Sequence, residues 1–178
     1  MIGLRLDGER VTLRGLTAAD VPRLVEIRRQ AEIVTWWGDD GPDELAAEFG
    51  NQVGAVDNTM MVIELDGTTI GAIQWYANED PQFRHAGMDL FLDPAVRGRG
   101  LGPDAVRTLV RHLIDGYGHH RFVIDPSARN AAAIRCYEKV GFRPVGVMRE
   151  YECLDGRVWR DGLLMDLLAR ELLPPDPG

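Results

Sequence analysis

The run Arg97-Gly98-Arg99-Gly100-Leu101-Gly102 constrains the fold more than any other part of the chain. It joins Met88-Asp89-Leu90-Phe91-Leu92, which reads as a strand, to a segment that reads as a helix. Pro103 has the fixed φ suited to a first helical position, and Val106, Leu109, Val110, Leu113 and Ile114 recur at helical spacing. Three glycines in six residues let the backbone turn tightly and bring its N–H groups close to something bulky. A strand, a glycine-rich turn and a helix N-terminus together make an anion site, usually for phosphate. Two arginines in the turn suit that charge. The spacing is not that of the P-loop, since no Gly-Lys-Ser/Thr follows, and it differs from the dinucleotide fingerprint.

The flanking sequence predicts a mixed α/β fold. Residues 4–14 read as strand, with Asp7-Gly8 as a turn and Val11 and Leu13 alternating. Thr17 and Asp20 open a helix carrying Val21, Leu24, Val25 and Ile27, which runs into Val34-Thr35-Trp36-Trp37-Gly38-Asp39-Asp40. Two adjacent tryptophans cannot both face one core from regular structure, so at least one should line a surface or pocket. A short helix is expected around 43–49. A hairpin then pairs 59–65 with 68–76 across Asp66-Gly67, a favoured two-residue turn. Strand 86–92 leads into the glycine turn and its helix, together 93–117. Phe122-Val123-Ile124 reads as a short buried strand ending at Asp125-Pro126-Ser127. Asn130 to Val140 is expected to be helical with Gly141 as its C-cap, and strands 142–148 and 158–168 close the chain around a turn near Asp155-Gly156.

With 178 residues, one domain over 1–178 is expected, with 173–178 as a frayed tail. The net charge of −8 argues against a nucleic-acid surface and is compatible with a cationic substrate. No apolar run is long enough for a bilayer span and no secretory signal is evident, so no membrane partner is expected. Cys136 and Cys153 form no metal-like cluster with the four histidines, so no metal is expected and a reduced, cytoplasmic setting is the default. Monomer and homodimer both stay open.

The glycine turn resembles the Arg/Gln-x-x-Gly-x-Gly/Ala signature of the GNAT acyltransferases. Asn130 through Phe142, with Asn130, Ala133, Tyr137 and Gly141-Phe142, resembles that family's second signature, Asn-x-x-Ala-x-x-x-Tyr-x-x-x-Gly-Phe. The resemblance covers roughly residues 10 to 168. It implies one GNAT-type domain, α/β, whose central, mostly antiparallel mixed sheet is flanked by helices. The central strands would splay into a slot for acyl-coenzyme A. Acetyl-CoA is then the cosubstrate, held by Leu92, Arg97, Gly98, Arg99, Gly100, Leu101, Gly102 and Asn130. Tyr137 shares a helix face with Asn130 and would point at the thioester sulfur. A neutral tyrosine, with a reference pKa of about 10, can protonate a leaving thiolate. Cys136 is expected to point off the cofactor face.

Within the family, the text resembles aminoglycoside 6′-N-acetyltransferases. Trp36-Trp37-Gly38 matches their Glu-Trp-Trp-Gly element, with Thr35 in place of Glu, and Gly87-Met88-Asp89 matches Gly-Ile-Asp. Asp125-Pro126-Ser127 and Ala133-Ile134-Arg135-Cys136-Tyr137-Glu138-Lys139 follow the subgroup closely. The region 78–84 is shorter and the last hairpin more extended than in the subgroup. The likeness implies Asp89 as general base or amine-orienting carboxylate, Tyr137 as general acid, Asp125 as an acceptor contact, and Trp36 or Trp37 as a wall for the sugar. The partner is then a small cationic amine, an aminoglycoside first. A protein N-terminus, a siderophore hydroxylamine or another small amine are the alternatives, and a catalytically idle fold is the weakest reading. Asp39, Asp40 and Glu152 read as solvated loop acids.

Overall fold

The computed structural model describes residues 3–55, 57 and 59–175. Its strands are β1 (Arg5–Asp7), β2 (Thr12–Gly15), β3 (Met60–Leu65), β4 (Thr68–Asn78), β5 (His85–Leu92), β6 (Arg121–Ile124), β7 (Arg143–Glu152) and β8 (Arg160–Leu168). They form one sheet in the order β1-β2-β3-β4-β5-β6-β8-β7. The helices are α1 (Val21–Arg28), α2 (Ala31–Trp37), α3 (Pro42–Asn51), α4 (Leu101–Tyr117) and α5 (Ala131–Glu138). The mixed sheet flanked by five helices is the expected class.

Helices cover both faces of the sheet, so its central strands are apolar in both directions. On β3, Met61 and Ile63 join a core beneath α4 and α5 with Leu109, Phe122 and Phe142. The alternate residues Met60 and Val62 join a second core beneath α1 to α3 with Leu24, Leu45 and Phe49. Fully burying such a side chain stabilises the fold by about 1.5–3 kcal/mol. Among the described residues, no helix is long and apolar enough to cross a membrane.

Asp66 (φ 49°) and Gly67 (φ 79°) take the left-handed conformations that the expected hairpin turn requires. Residues 4–14 carry the expected turn, which follows Asp7 and separates β1 from β2, and its backbone is tied to α4. Asp104 accepts the N–H groups of Glu9, Arg10 and Val11 at 3.1, 2.8 and 3.0 Å. A methyl at Gly8 would meet Asp104 Oδ2 at 2.7 Å, so only glycine fits this close approach. The long helix expected from residue 21 is interrupted. Gln30 turns extended (ψ 139°), its side chain donates to Asp93, and its carbonyl takes the N–H groups of Ile33 and Val34. Of the tail, Leu173 donates its N–H to Val140 and accepts from Arg107, while 176–178 lie outside the described residues.

The relation that positions the site is between β5 and β6. They are parallel neighbours, paired only at Ala86–Phe122 and Gly87–Val123. Beyond those pairs the strands part, leaving Asp89 to Leu92 on one side of a cleft and Asp125 on the other. Splayed central strands were expected, and the pairing of β5 with β6 ends after these two positions. The glycine turn and α4 close one end of the opening, and α5 leaves from the other side.

Candidate active site

A cavity of about 850 Å³ fills the opening between β5 and β6. Its floor at one end is the turn before α4. Gly98 (φ 76°) and Gly100 (φ 74°) occupy left-handed conformations that side chains disfavour, and a Cβ on Gly98 would meet nothing within 4 Å. α4 opens at Leu101 with Gly100 as its N-cap, so the N–H groups of Leu101 and Gly102 have no acceptor within the helix. Open backbone donors, the positive end of α4 and the exposed Arg97 together fit a diphosphate. Arg99 is not among the cavity-lining residues, and its carbonyl accepts the Arg10 guanidinium at 2.8 Å. Leu92, Arg97, Gly98, Gly100, Leu101, Gly102 and Asn130 all line the cavity.

Asn130 precedes α5 and caps it, its side-chain carbonyl accepting the Ala133 N–H at 3.1 Å. That leaves its amide N–H₂ as a donor toward the cavity. Seven residues on, Tyr137 faces the same space, as the helical spacing required. Burial raises its pKa well above the usual tyrosine value, and the charges of Asp89 and Asp125 push the same way. Its hydroxyl is therefore protonated at neutral pH.

Cys136 does not point away from this face. It lines the cavity, and a methyl on Gly102 would lie 3.0 Å from its Sγ. Regular helix spacing alone misplaces it because α4 crosses close to α5 at a residue without a side chain. Burial raises the Cys136 thiol to about 12, so it is neutral and a poor nucleophile.

The acceptor end is acidic and aromatic. Asp89 on β5 stands opposite Gln74 on β4, and its carboxyl is raised to about 6 by burial first and by the Asp125 charge second. Asp125, just past β6, accepts a short hydrogen bond from the Tyr151 hydroxyl. That bond, with burial and the Asp125 charge, raises the Tyr151 pKa. The Tyr76 ring packs over Gly87, and its pKa is raised by burial and by the same two acids. Trp36 and Trp37 both line the cavity, where at least one had been expected to line a surface or pocket. Trp37 also meets Phe91 edge-on at 5.5 Å, and the Arg28 guanidinium lies 5.3 Å from its ring centre.

Three of the acids separate cleanly. Asp40 is paired with Arg28 at 2.8 Å and Asp39 is exposed, away from the cavity lining. Glu152 is not a solvated loop acid: it ends β7, lines the cavity, and one of its carboxylate oxygens is buried. Sequence reasoning also missed Tyr76, Ser127 and Tyr151. The one local signal was the Glu150-Tyr151-Glu152 run, lying past the expected end of its strand at 148.

A family model described as an acetyltransferase (GNAT) domain matches residues 10–143. An aminoglycoside N(6′)-acetyltransferase type 1 of Klebsiella pneumoniae is 34% identical over 155 residues, covering 78% of this chain and 76% of that one. The N-alpha-acetyltransferase RimI of Mycobacterium tuberculosis is 32% identical over 155 residues, covering 84% and 89%. The crystal structure of aminoglycoside acetyltransferase AAC(6′)-Ib with coenzyme A superposes with a TM-score of 0.72 at 27% identity, over 90% of this chain and 96% of that one.

Proposed function

The chain belongs to the GNAT acetyltransferases, which use acetyl-CoA, and from that premise we propose that it acetylates the 6′-amine of an aminoglycoside by direct attack on the thioester. The observation that carries this reading is the acceptor end of the cavity. Asp89, its carboxyl raised to about 6, and Asp125 face a cleft walled by Trp36 and Trp37. Carboxylates beside aromatic faces suit a sugar bearing ammonium groups.

Bound acetyl-CoA supplies an activated acetyl group as a thioester. Gly98 to Gly102 and Arg97 hold its diphosphate, and the Asn130 amide donates to its pantetheine arm. Asp89 receives the incoming ammonium, fixes its direction and takes the proton whose loss frees the lone pair for attack. The second nitrogen proton is lost after the C–N bond forms and passes to solvent, from which Tyr137 is reprotonated. At a pKa of about 6 the carboxyl is mostly ionised at neutral pH yet basic enough to take part in proton transfer. Tyr137, neutral and buried, gives its proton to the departing thiolate. Asp125 and a tryptophan face hold the sugar, and Tyr151 orients Asp125. A general acid of this kind contributes roughly 10²–10⁴-fold.

The similarity to RimI supports a second reading, acetylation of a protein N-terminus. One thiol-release assay separates the two. Acetyl-CoA is offered with aminoglycosides, polyamines and N-terminal peptides. Transfer to aminoglycosides at higher kcat/KM than to any peptide supports the first reading. A peptide preference supports the second.

A further inference from the structure

Among the described residues, two buried polar side-chain atoms on the cavity lining, Ser127 Oγ and Glu152 Oε1, have no hydrogen-bond partner. For a hydroxyl this is a modest loss. A carboxylate oxygen accepts and never donates, so one buried on the wall of a ligand-sized cavity is placed to receive a donor from outside.

The backbone is bent to put Glu152 there. On β7, Met148 pairs with Gly162 and Glu152 with Arg160, so four steps on one strand oppose two on the other. Inside this bulge Glu150 adopts φ 50°, and its N–H is held by the Asp161 carboxylate at 2.8 Å. A non-glycine residue in that conformation costs roughly 1–2 kcal/mol, and bulges of this kind re-aim side chains. The result sends the Tyr151 hydroxyl to Asp125 and brings Glu152 to the cavity wall. The hairpin beyond it lies against the end of α2. The Leu154 carbonyl is 3.6 Å from where a Gly38 methyl would sit, and Arg160 donates to the Thr35 carbonyl at 2.8 Å.

Glu152 thus stands between the Asp125 side and the tryptophan side. Its strand is the third from β5. At ordinary strand spacing that is about 14 Å of sheet, too far for Glu152 and Asp89 to share one amine. Asp125 has one carboxylate oxygen already engaged by Tyr151, whereas the Glu152 oxygen is open.

We infer that Glu152 binds a second ammonium group of the acceptor, remote from the reacting amine, and so makes the enzyme select polycationic over monocationic amines. This rests on the acetyl-transfer site as assigned above. A hydroxyl can also donate to a carboxylate, but an ammonium brings opposite charge as well as donors. A second cation on the acceptor therefore gains more at Glu152 than a hydroxyl in its place, and that difference is the basis of selection.

The test measures binding and product separately. Kanamycin, a polyamine, and 6-amino-6-deoxyglucose, its amine-bearing ring alone, are titrated calorimetrically into the coenzyme A complex of the wild type, Glu152→Gln and Glu152→Asp. Coenzyme A affinity and melting temperature show that each variant is folded. The expected result is that Glu152→Gln weakens kanamycin about tenfold or more and the monoamine less than twofold, with Glu152→Asp between. Equal weakening of both ligands, no weakening of kanamycin, or a wild type that binds kanamycin no tighter than the single ring would overturn the inference. If kanamycin binding follows the expected pattern but mass spectrometry finds no acetylated product, the Glu152 assignment stands and the 6′-transfer reading fails.

Discussion

Asp89 and Asp125 stand on the two strands that part beyond Gly87 and Val123, and the charge of Asp125 helps raise the Asp89 carboxyl to about 6. The coupling is testable by ¹³C NMR of the carboxyl carbons, with Asp89→Asn as the assignment control. Asp125→Asn removes a negative neighbour, so the Asp89 titration should move to lower pH. Burial acts in the same direction as the lost charge and remains, so the midpoint should stay above 3.8. An unmoved midpoint contradicts the coupling.

The raised carboxyl also links to stability. Folding favours its protonated form, so the stability that this group contributes is complete below the unfolded value of 3.8 and is lost as pH rises through about 6. Asp89→Asn keeps a neutral group of the same shape. At pH 8 it should stabilise the protein by about 1–3 kcal/mol while acetyl transfer falls, and near pH 3.5 the stability difference should vanish. Chemical denaturation at the two pH values checks both halves. A variant less stable at pH 8 than the wild type contradicts the sign.

Tyr137→Phe removes a hydroxyl and keeps the ring that packs near Phe142, with ring centres 6.1 Å apart. Turnover should fall roughly 10²–10⁴-fold with coenzyme A affinity little changed, the pattern of an interaction made only in the transition state. Near-normal turnover with chemistry rate-limiting removes Tyr137 from the role of acid.

Acetyl-CoA at 100 times its dissociation constant should stabilise the wild type by about 2.7 kcal/mol. In Gly100→Val a branched side chain is forced onto a backbone at φ 74° and onto the diphosphate position. The ligand-induced rise in melting temperature should disappear in a variant that still unfolds cooperatively. A full shift contradicts the placement of the diphosphate at this turn.

What the sequence made legible was local. The glycine turn, the α4 stripe, the Asp66-Gly67 hairpin and the shared face of Asn130 and Tyr137 all follow from residues within a few turns of one another. The site residues read from them line one cavity, except Arg99. What stayed hidden depends on partners distant in the chain. Gln30 ends one helix and starts another through Asp93, more than sixty positions away. Cys136 reaches the cavity because α4 approaches at Gly102. Tyr151 and Glu152 face inward only because of a two-residue bulge that Asp161 stabilises from the neighbouring strand. No periodicity in β7 announces it, since nearly the whole strand is exposed.

The regiochemistry of the product tests the central claim most directly. The protein is incubated with acetyl-CoA and kanamycin, and the product is examined by mass spectrometry and two-dimensional NMR. One added acetyl group, located on the 6′ nitrogen, is predicted, together with far slower transfer to an aminoglycoside bearing a 6′-hydroxyl. Acetylation at a different amine, or turnover of peptides with none of kanamycin, would contradict it.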